Sequence, residues 1–504
     1  MRKHQLAAAW IGSLSPDRVD DRTEMLAHHY REAIVLGGTA GIDTSEVREP
    51  ARRAFADAAK RAFSLNAWRA AKDWAEQTLA LTEHDDPARG DVQLVAMQAR
   101  ANLDDMDVEG SLEARDLLLA AGDFERAAEA EVLLAWMCLA LGEGSRHEHA
   151  RRAVELVEAR PLSHAKARAY AALARMTSLS GGYAEAIVIA REALTMAEAL
   201  ADDATASHAL NSLALSRVDM GDPDGIDDML DAIRRAERAS AADELTQAWN
   251  NLMNLYWRLG RLDDASAAWH SGHDACTRFG ITTTVAWFDG EEMLDYNLRG
   301  DFGTSEALAE RFLARPDAEA LYQAGPAFGV RARARAVQGR TREAVDDARR
   351  ALEIARNVAD PQQLSMGLCY LAFVLPGAGG QEEANALIDE LLADHALLVE
   401  DAWLSDLPLL LVELNRGDDW LPAFGESAMS LWRVAARAAV SNELERAAHV
   451  YDGVGARFHA AWARLLAAER GAPPAELGRA RDYFAEQGAR GLLRRCDELL
   501  PASA

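Results

Sequence analysis

Apolar residues recur along this chain at spacings of three and four, in helix-length stretches, and glycine interrupts them on a fixed beat. Gly142, Gly181, Gly221, Gly260, Gly300, Gly339, Gly379 and Gly417 follow one another at intervals of 39, 40, 39, 40, 39, 40 and 38 residues. An apolar helical segment precedes each glycine, and an alanine-rich one follows most of them. A fixed period of this size marks stacked supersecondary units rather than one closed core. Between residues 170 and 197 the unit can be read directly. Tyr170, Leu173, Ala174 and Thr177 share one helical face, Gly181-Gly182-Tyr183 turns the chain, and Ala186, Ala190, Ala193 and Leu194 continue on a second helix. Glycine ends the first helix because it enters the left-handed region at little cost.

This unit resembles the tetratricopeptide repeat: an apolar helix around a small residue, Gly-x-Tyr, then a second helix with alanines in register. The pattern recurs at Trp249, Leu252, Tyr256, Gly260, Leu262, Ala265 and Trp269, and again at Met293, Tyr296, Gly300, Phe302, Leu308 and Phe312. It returns at Phe328, Ala332, Gly339, Ala344, Ala348, Ala351 and Leu352. Two upstream frames keep the beat without glycine: Asn66 before Trp68-Ala71-Ala75-Leu79, and Asp104 before a helix from about Ser111. Asn and Asp are the next-best residues for a helix-ending turn.

The beat is longer than the usual repeat, so each hairpin has longer helices or longer connections, such as Asp202-Asp203 and Asp360-Pro361. In that respect the chain resembles the repeat regions of bacterial signalling ATPases, the LuxR-type regulators and ATPase-fused nucleotide cyclases. Both ends add to the likeness: Lys3-His4, Trp10-Ile11 and Asp21 to Tyr30 at the start, and Ala480 to Arg490 at the close. The resemblance implies a sensor or scaffold half of a larger machine. The ATPase, cyclase and DNA-binding parts are not found. None of the four lysines, Lys3, Lys60, Lys72 and Lys166, lies in the Gly-Lys-Ser/Thr setting that a phosphate-binding loop needs.

Composition agrees with an array. A chain of 504 residues is too long for one core, and its apolar fraction of 49% with only 7% aromatics reflects abundant alanine. The net charge of −27 disfavours direct nucleic-acid binding. Cys138, Cys276, Cys369 and Cys496 form no CxxC pair and read as reduced thiols of a cytoplasmic protein. No apolar run is long enough for a membrane span.

Catalytic and metal signals are weak. His270 and His273 stand at i and i+3 near Asp274 and Cys276, but no second cluster answers them, so no metal is expected. His28 and His29 are adjacent and point about 100° apart on a helix. His147-Glu148-His149 lacks the spacing that puts two histidines on one face. Arg331, Arg333 and Arg335 do not form one line, and a solvated, salt-bridged face is expected of them.

One stretch favours binding. In tetratricopeptide arrays the first helices line the concave groove, and the resemblance places Asn250, Asn254, Trp257 and Arg258 on that side. His208 and Asn211 match them in the preceding repeat, and Asn297 in the following one. Asparagine is a poor helix former whose amide both donates and accepts, so a row of amides beside an exposed tryptophan fits a peptide backbone or another polar ligand.

The expectation is therefore an all-α protein, a right-handed α-α superhelix of tetratricopeptide-like hairpins. Capping helices are expected over 1–50, the array over 51–440 and closing hairpins over 441–504. The expected function is a non-enzymatic scaffold that binds a protein or peptide in its groove, with no cofactor. The alternative is a ligand-sensing regulatory module of a signalling ATPase or transcriptional regulator, with a small molecule as its effector.

Overall fold

The computed structural model describes residues 1–13, 22–103, 105–141, 145–279, 282–316, 318–358, 360–398, 402–424, 430–473 and 476–500. Among them the structure is helical, without strands. The chain divides into two compact units, Met1–Met220 and Gly221–Ala504.

The first unit contains α1 (Arg2–Ser13), α2 (Thr23–Thr39), α3 (Ser45–Ser64), α4 (Trp68–Leu79), α5 (Arg89–Ala101) and α6 (Val108–Ala120). It continues with α7 (Phe124–Ala140), α8 (Arg146–Val157), α9 (His164–Leu179), α10 (Tyr183–Ala199) and α11 (Asp203–Asp219). From α3 onward the helices pair as antiparallel hairpins, and the buried face of each is largely alanine. Ala186, Ala190, Ala193 and Ala197 of α10 are wholly buried, and their small side chains let α9 and α11 approach closely. Larger groups gather near the start, where Phe55 and Trp74 pack with Val92, Val95 and Met97.

The second unit opens with α12 (Gly225–Ala239), α13 (Ala242–Leu259), α14 (Leu262–Phe279), α15 (Thr282–Arg299) and α16 (Phe302–Leu313). Next come α17 (Ala324–Val337), α18 (Thr341–Val358), α19 (Pro361–Val374) and α20 (Gln381–Ala393). The remainder comprises α21 (Leu407–Glu413), α22 (Trp420–Phe424), α23 (Leu431–Val440), α24 (Leu444–Val454), α25 (Arg457–Glu469), α26 (Leu477–Glu486) and α27 (Arg490–Leu499).

The glycine ladder sets these hairpins. Gly181 has φ +81, its N–H bonds Ser178 O at 2.9 Å, and the next N–H bonds Thr177 O at 3.0 Å, which closes the helix end. Gly221, Gly260, Gly300, Gly339 and Gly379 share the left-handed geometry, and Asn66 takes it at φ 57 in place of glycine. The last rung departs from expectation. Gly417 begins a short 3-10 turn, and the left-handed residue there is Asn415, at φ 58. Gly142 and Asp104 lie outside the described residues. Acidic residues start many of the following helices: Asp107, Asp123, Asp202, Asp301 and Asp360 each accept a backbone N–H of their own first turn. Such a cap stabilises a helix by about 1 kcal/mol.

The first helices of the second unit, α13, α15, α17 and α19, are covered over part of their length by the unit's own last helices. Trp432 of α23 donates its indole N–H to Trp257 O at 2.7 Å. Tyr483 of α26 donates to Gly300 O at 2.6 Å, and Gln487 accepts from Phe302 N at 3.1 Å. At the centre Arg333 of α17 is 1% exposed. Its guanidinium donates twice to Asp406, at 2.6 Å each, and to Asn297 O at 2.8 Å. Phe302, Phe373 and Phe458 surround it within 5.7 Å. His459 Nε2 lies 2.9 Å from Asp406 Oδ1. Burial alone would raise the Asp406 pKa, but Arg333 and His459 outweigh it and hold the carboxylate ionised. Arg333 is thus not part of a solvated face. Only its neighbours Arg331 and Arg335 fit the salt-bridged reading, both pairing with Asp347.

This covering makes two ladder glycines unequal. A Cβ on Gly300 would lie 2.9 Å from Phe458 Cβ, whereas one on Gly339 would meet nothing within 4 Å. Gly339→Ala should cost about 1 kcal/mol, the left-handed penalty alone. Gly300→Ala should cost ~1–3 kcal/mol more, from overpacking. Urea unfolding of the two variants checks this; equal losses would mean that the last helices do not seat on that turn.

Candidate functional site

The residues singled out for a groove fall into several environments. His208 and Asn211 lie on α11 of the first unit. Asn211 is 6% exposed and engaged with neighbours. The Nε2 of His208 is enclosed without a hydrogen-bond partner, and burial, helped by Arg175 and Arg168, pushes its pKa down to about 3. That imidazole is neutral.

On α13 of the second unit, Asn250 and Asn254 are half-buried one turn apart, and Asn254 Nδ2 donates to Asn250 O at 2.9 Å. Arg258 is half-buried and engaged. The expected exposure of Trp257 is corrected. Its ring is 1% exposed, donates to Asp295 Oδ1 at 2.9 Å and packs edge-on against Trp403. Asn297 is likewise buried, with its amide side chain and carbonyl turned to Arg333 and Val330. The last turns of the first helices therefore hold the unit's own C-terminal segment.

Earlier turns of the same helices carry a different group of side chains, which the sequence reading did not single out. Trp287 and Glu291 stand one turn apart on α15. Tyr322 and Gln323 immediately precede α17, and Gln363 lies in the first turn of α19. The rings of Trp287 and Tyr322 stack with centroids 5.0 Å apart. Gln323 lies against α15 at Gly290, where a Cβ would fall 2.8 Å from its own Cβ. Gln363 Nε2 donates to Tyr322 O at 2.8 Å, and Tyr322 OH donates to Asp360 at 3.1 Å. The group is thus one assembly spanning three successive first helices.

Its polar atoms are under-used. Glu291, Gln323 and Gln363 are 6%, 4% and 2% exposed. Yet Glu291 Oε2, Gln323 Nε2, Gln363 Oε1 and the Trp287 indole N–H are buried without a hydrogen-bond partner, as is Asn250 Oδ1 on α13. Leaving such a group unpaired costs about 1–3 kcal/mol. Three carboxyl and amide groups so placed on neighbouring first helices, beside an indole N–H that faces Glu291 without closing a hydrogen bond, are a concentration that folding alone does not favour. Burial pushes the Glu291 pKa up to about 8, opposed only by the nearby Trp287 N–H. Trp287 and Tyr322 are only partly buried, so an edge of the assembly reaches solvent.

Other histidines that the sequence offered have partners among nearby side chains. His270 and His273 both pack on the Trp269 ring, and His29 meets His4 at 3.1 Å. Among the described residues no group of three or more His, Cys, Asp and Glu is placed to hold a metal, and no helix is long and apolar enough to cross a membrane.

What the helices define is an all-α repeat protein built of tetratricopeptide-like hairpins. No protein-family model and no curated relative matches the chain. Solved structures similar to it include the following three. One is a Rap protein complexed with competence and sporulation factor, at 12% identity over 86% of this chain and 99% of its own, with a TM-score of 0.42. Another is the apo form of the quorum sensor NprR from B. thuringiensis, at 14% identity over 75% of this chain and 100% of its own, also 0.42. The third is a signal-transduction ATPase with a tetratricopeptide repeat sensor from Pyrococcus horikoshii, at 14% identity over 67% of this chain and 56% of its own, with 0.39. At such scores the likeness has no bearing on function, and the fold is read from the hairpins themselves.

The raised Glu291 pKa has a measurable signature. The folded-state value near 8 lies above the ordinary 4.5, so between them the folded chain holds a proton that the unfolded chain has released. This contribution is therefore full below pH 4.5 and falls as pH rises toward 8, by up to ~1.4 kcal/mol per pH unit. Glu291→Gln should match the parent near pH 4, exceed it in stability at pH 8 and show a flatter profile. Urea midpoints across that range check it; parallel profiles would place Glu291 in contact with water.

Proposed function

We propose that the chain is a non-enzymatic helical-repeat scaffold that binds a protein or peptide segment along the earlier turns of α13, α15, α17 and α19. The observation that carries this reading is the row of unpartnered buried groups at Asn250, Glu291, Gln323 and Gln363. Three are oxygens and one, Gln323 Nε2, is a donor, and they sit on successive repeats, which suits an extended main chain that offers both N–H and C=O groups. Asn254 and Arg258 flank the row on α13. Trp257 and Asn297 would act from beneath, by fixing the helices that carry it.

The four cysteines are free and buried, which fits a cytoplasmic setting, and the acidic surface favours partners other than nucleic acid. One observation also favours the regulatory reading. The C-terminal helices already occupy the last turns of the same first helices, so an occupant of the earlier turns touches elements that the closure depends on. A sensing role within a signalling ATPase or transcriptional regulator, as the sequence resemblance implies, would use that coupling.

Phage display of random decapeptides against the full chain tests the scaffold reading. Enriched peptides should bind the parent and lose about tenfold or more affinity on the double change Gln323→Ala with Gln363→Ala, equivalent to ~1.4 kcal/mol or more. Failure to enrich any sequence, or enriched peptides that ignore both substitutions, would overturn it.

A further inference from the structure

Glu291 is the anomaly of the assembly. A buried carboxyl is ordinarily paired with a cation or fully hydrogen-bonded. Among the described residues no basic side chain pairs with it, and its Oε2 has no partner. The nearest acidic neighbours on its own helix do have cations: Asp289 lies 3.9 Å from Arg315, and Glu292 lies 3.7 Å from Arg311. The absence at Glu291 is therefore local, in a unit otherwise well supplied with arginine.

The surroundings match one chemistry. Trp287 and Tyr322 stack on one another beside the carboxyl, and aromatic faces attract cations. Tyr322 OH is held by Asp360, which adds a second negative charge near the ring. Gln363 Oε1 offers a further unpartnered acceptor. Acceptors, an acid and an aromatic pair together suit a group with several N–H donors and a full positive charge.

We propose that the cluster of Trp287, Glu291 and Tyr322 receives a primary ammonium group. On the scaffold reading above, on which this inference rests, that group is a lysine side chain or the free amino terminus of the bound segment. The ammonium supplies the charge that Glu291 lacks, and the carboxyl releases its proton to solvent as the ion pair forms. A neutral ligand of the same shape leaves the carboxyl unpaired.

The test uses the full chain and four probes followed by saturation-transfer NMR. They are n-butylammonium chloride, n-butanol, an acetylated and amidated Ala-Lys-Ala, and amidated Ala-Ala-Ala with a free amino terminus. Butylammonium should bind at least tenfold more tightly than butanol, and Glu291→Gln should abolish that preference. Trp287→Leu should weaken butylammonium severalfold, and it serves as the readout if the first variant does not fold. A stronger response from the lysine peptide assigns the cluster to a side chain; a stronger response from the free-amine peptide assigns it to a terminus.

Equal binding of butylammonium and butanol, or an ammonium preference that survives both substitutions, would overturn the inference. The scaffold reading would still stand if displayed peptides remain sensitive to Gln323 and Gln363. Glu291-dependent butylammonium binding without any peptide binding would instead keep the ammonium site and remove the scaffold reading.

Discussion

The second unit depends on a charge held where charges are costly. Arg333 and Asp406 are both almost completely buried, and taking either out of water alone costs several kcal/mol. Together they satisfy one another through two short hydrogen bonds, with Asn297 and His459 filling the remaining positions. Burial keeps His459 neutral despite the pull of Asp406. The pair ties α17 to the segment entering α21 and to α25. Three phenylalanines around the guanidinium keep water away. The aromatic seats at Trp257 and Gly300 also hold the last helices on the first-helix face, but loss of either charged partner would leave the other buried and unpaired.

That junction also divides the first helices by role. Their last turns, with Trp257, Asp295, Asn297 and Arg333, are committed to internal contacts in which the buried polar atoms are largely matched. Their earlier turns hold Trp287, Glu291, Gln323 and Gln363, where hydrogen-bonding capacity is left over. The contrast within one set of helices argues against poor packing as the cause. Where this chain needs a buried charge for structure, it provides the counter-charge.

The hairpins were legible in the sequence because a helix end has a strict local requirement. Gly181, Gly260, Gly300, Gly339 and Gly379 stand where a left-handed residue is needed, and Asn66 was readable as the substitute. Gly417 misled because Asn415 met the same need two residues earlier, and the pattern of glycines alone does not separate the two. Placing polar residues on the first-helix side was possible from repeat register. Deciding which of them end up buried was not, because that depends on segments far along the chain, such as Asp406 for Arg333 and Trp432 for Trp257. Trp403 and Trp432 cover Trp257, and Asp406, Phe458 and His459 cover Arg333, and no local pattern announces it. Glu291 was invisible for another reason. In a chain with 81 acidic residues, one more carboxylate carries no signal until its surroundings are known.

Solenoids ordinarily grow or shrink by whole repeats, since each unit touches only its neighbours. The seating of Tyr483 on Gly300 and of Trp432 on Trp257 removes that freedom here. The C-terminal helices meet particular turns of particular hairpins, so a gained or lost repeat between α13 and α19 would misalign every seat at once. The second unit has a fixed repeat number, as a ring does, although its chain is open.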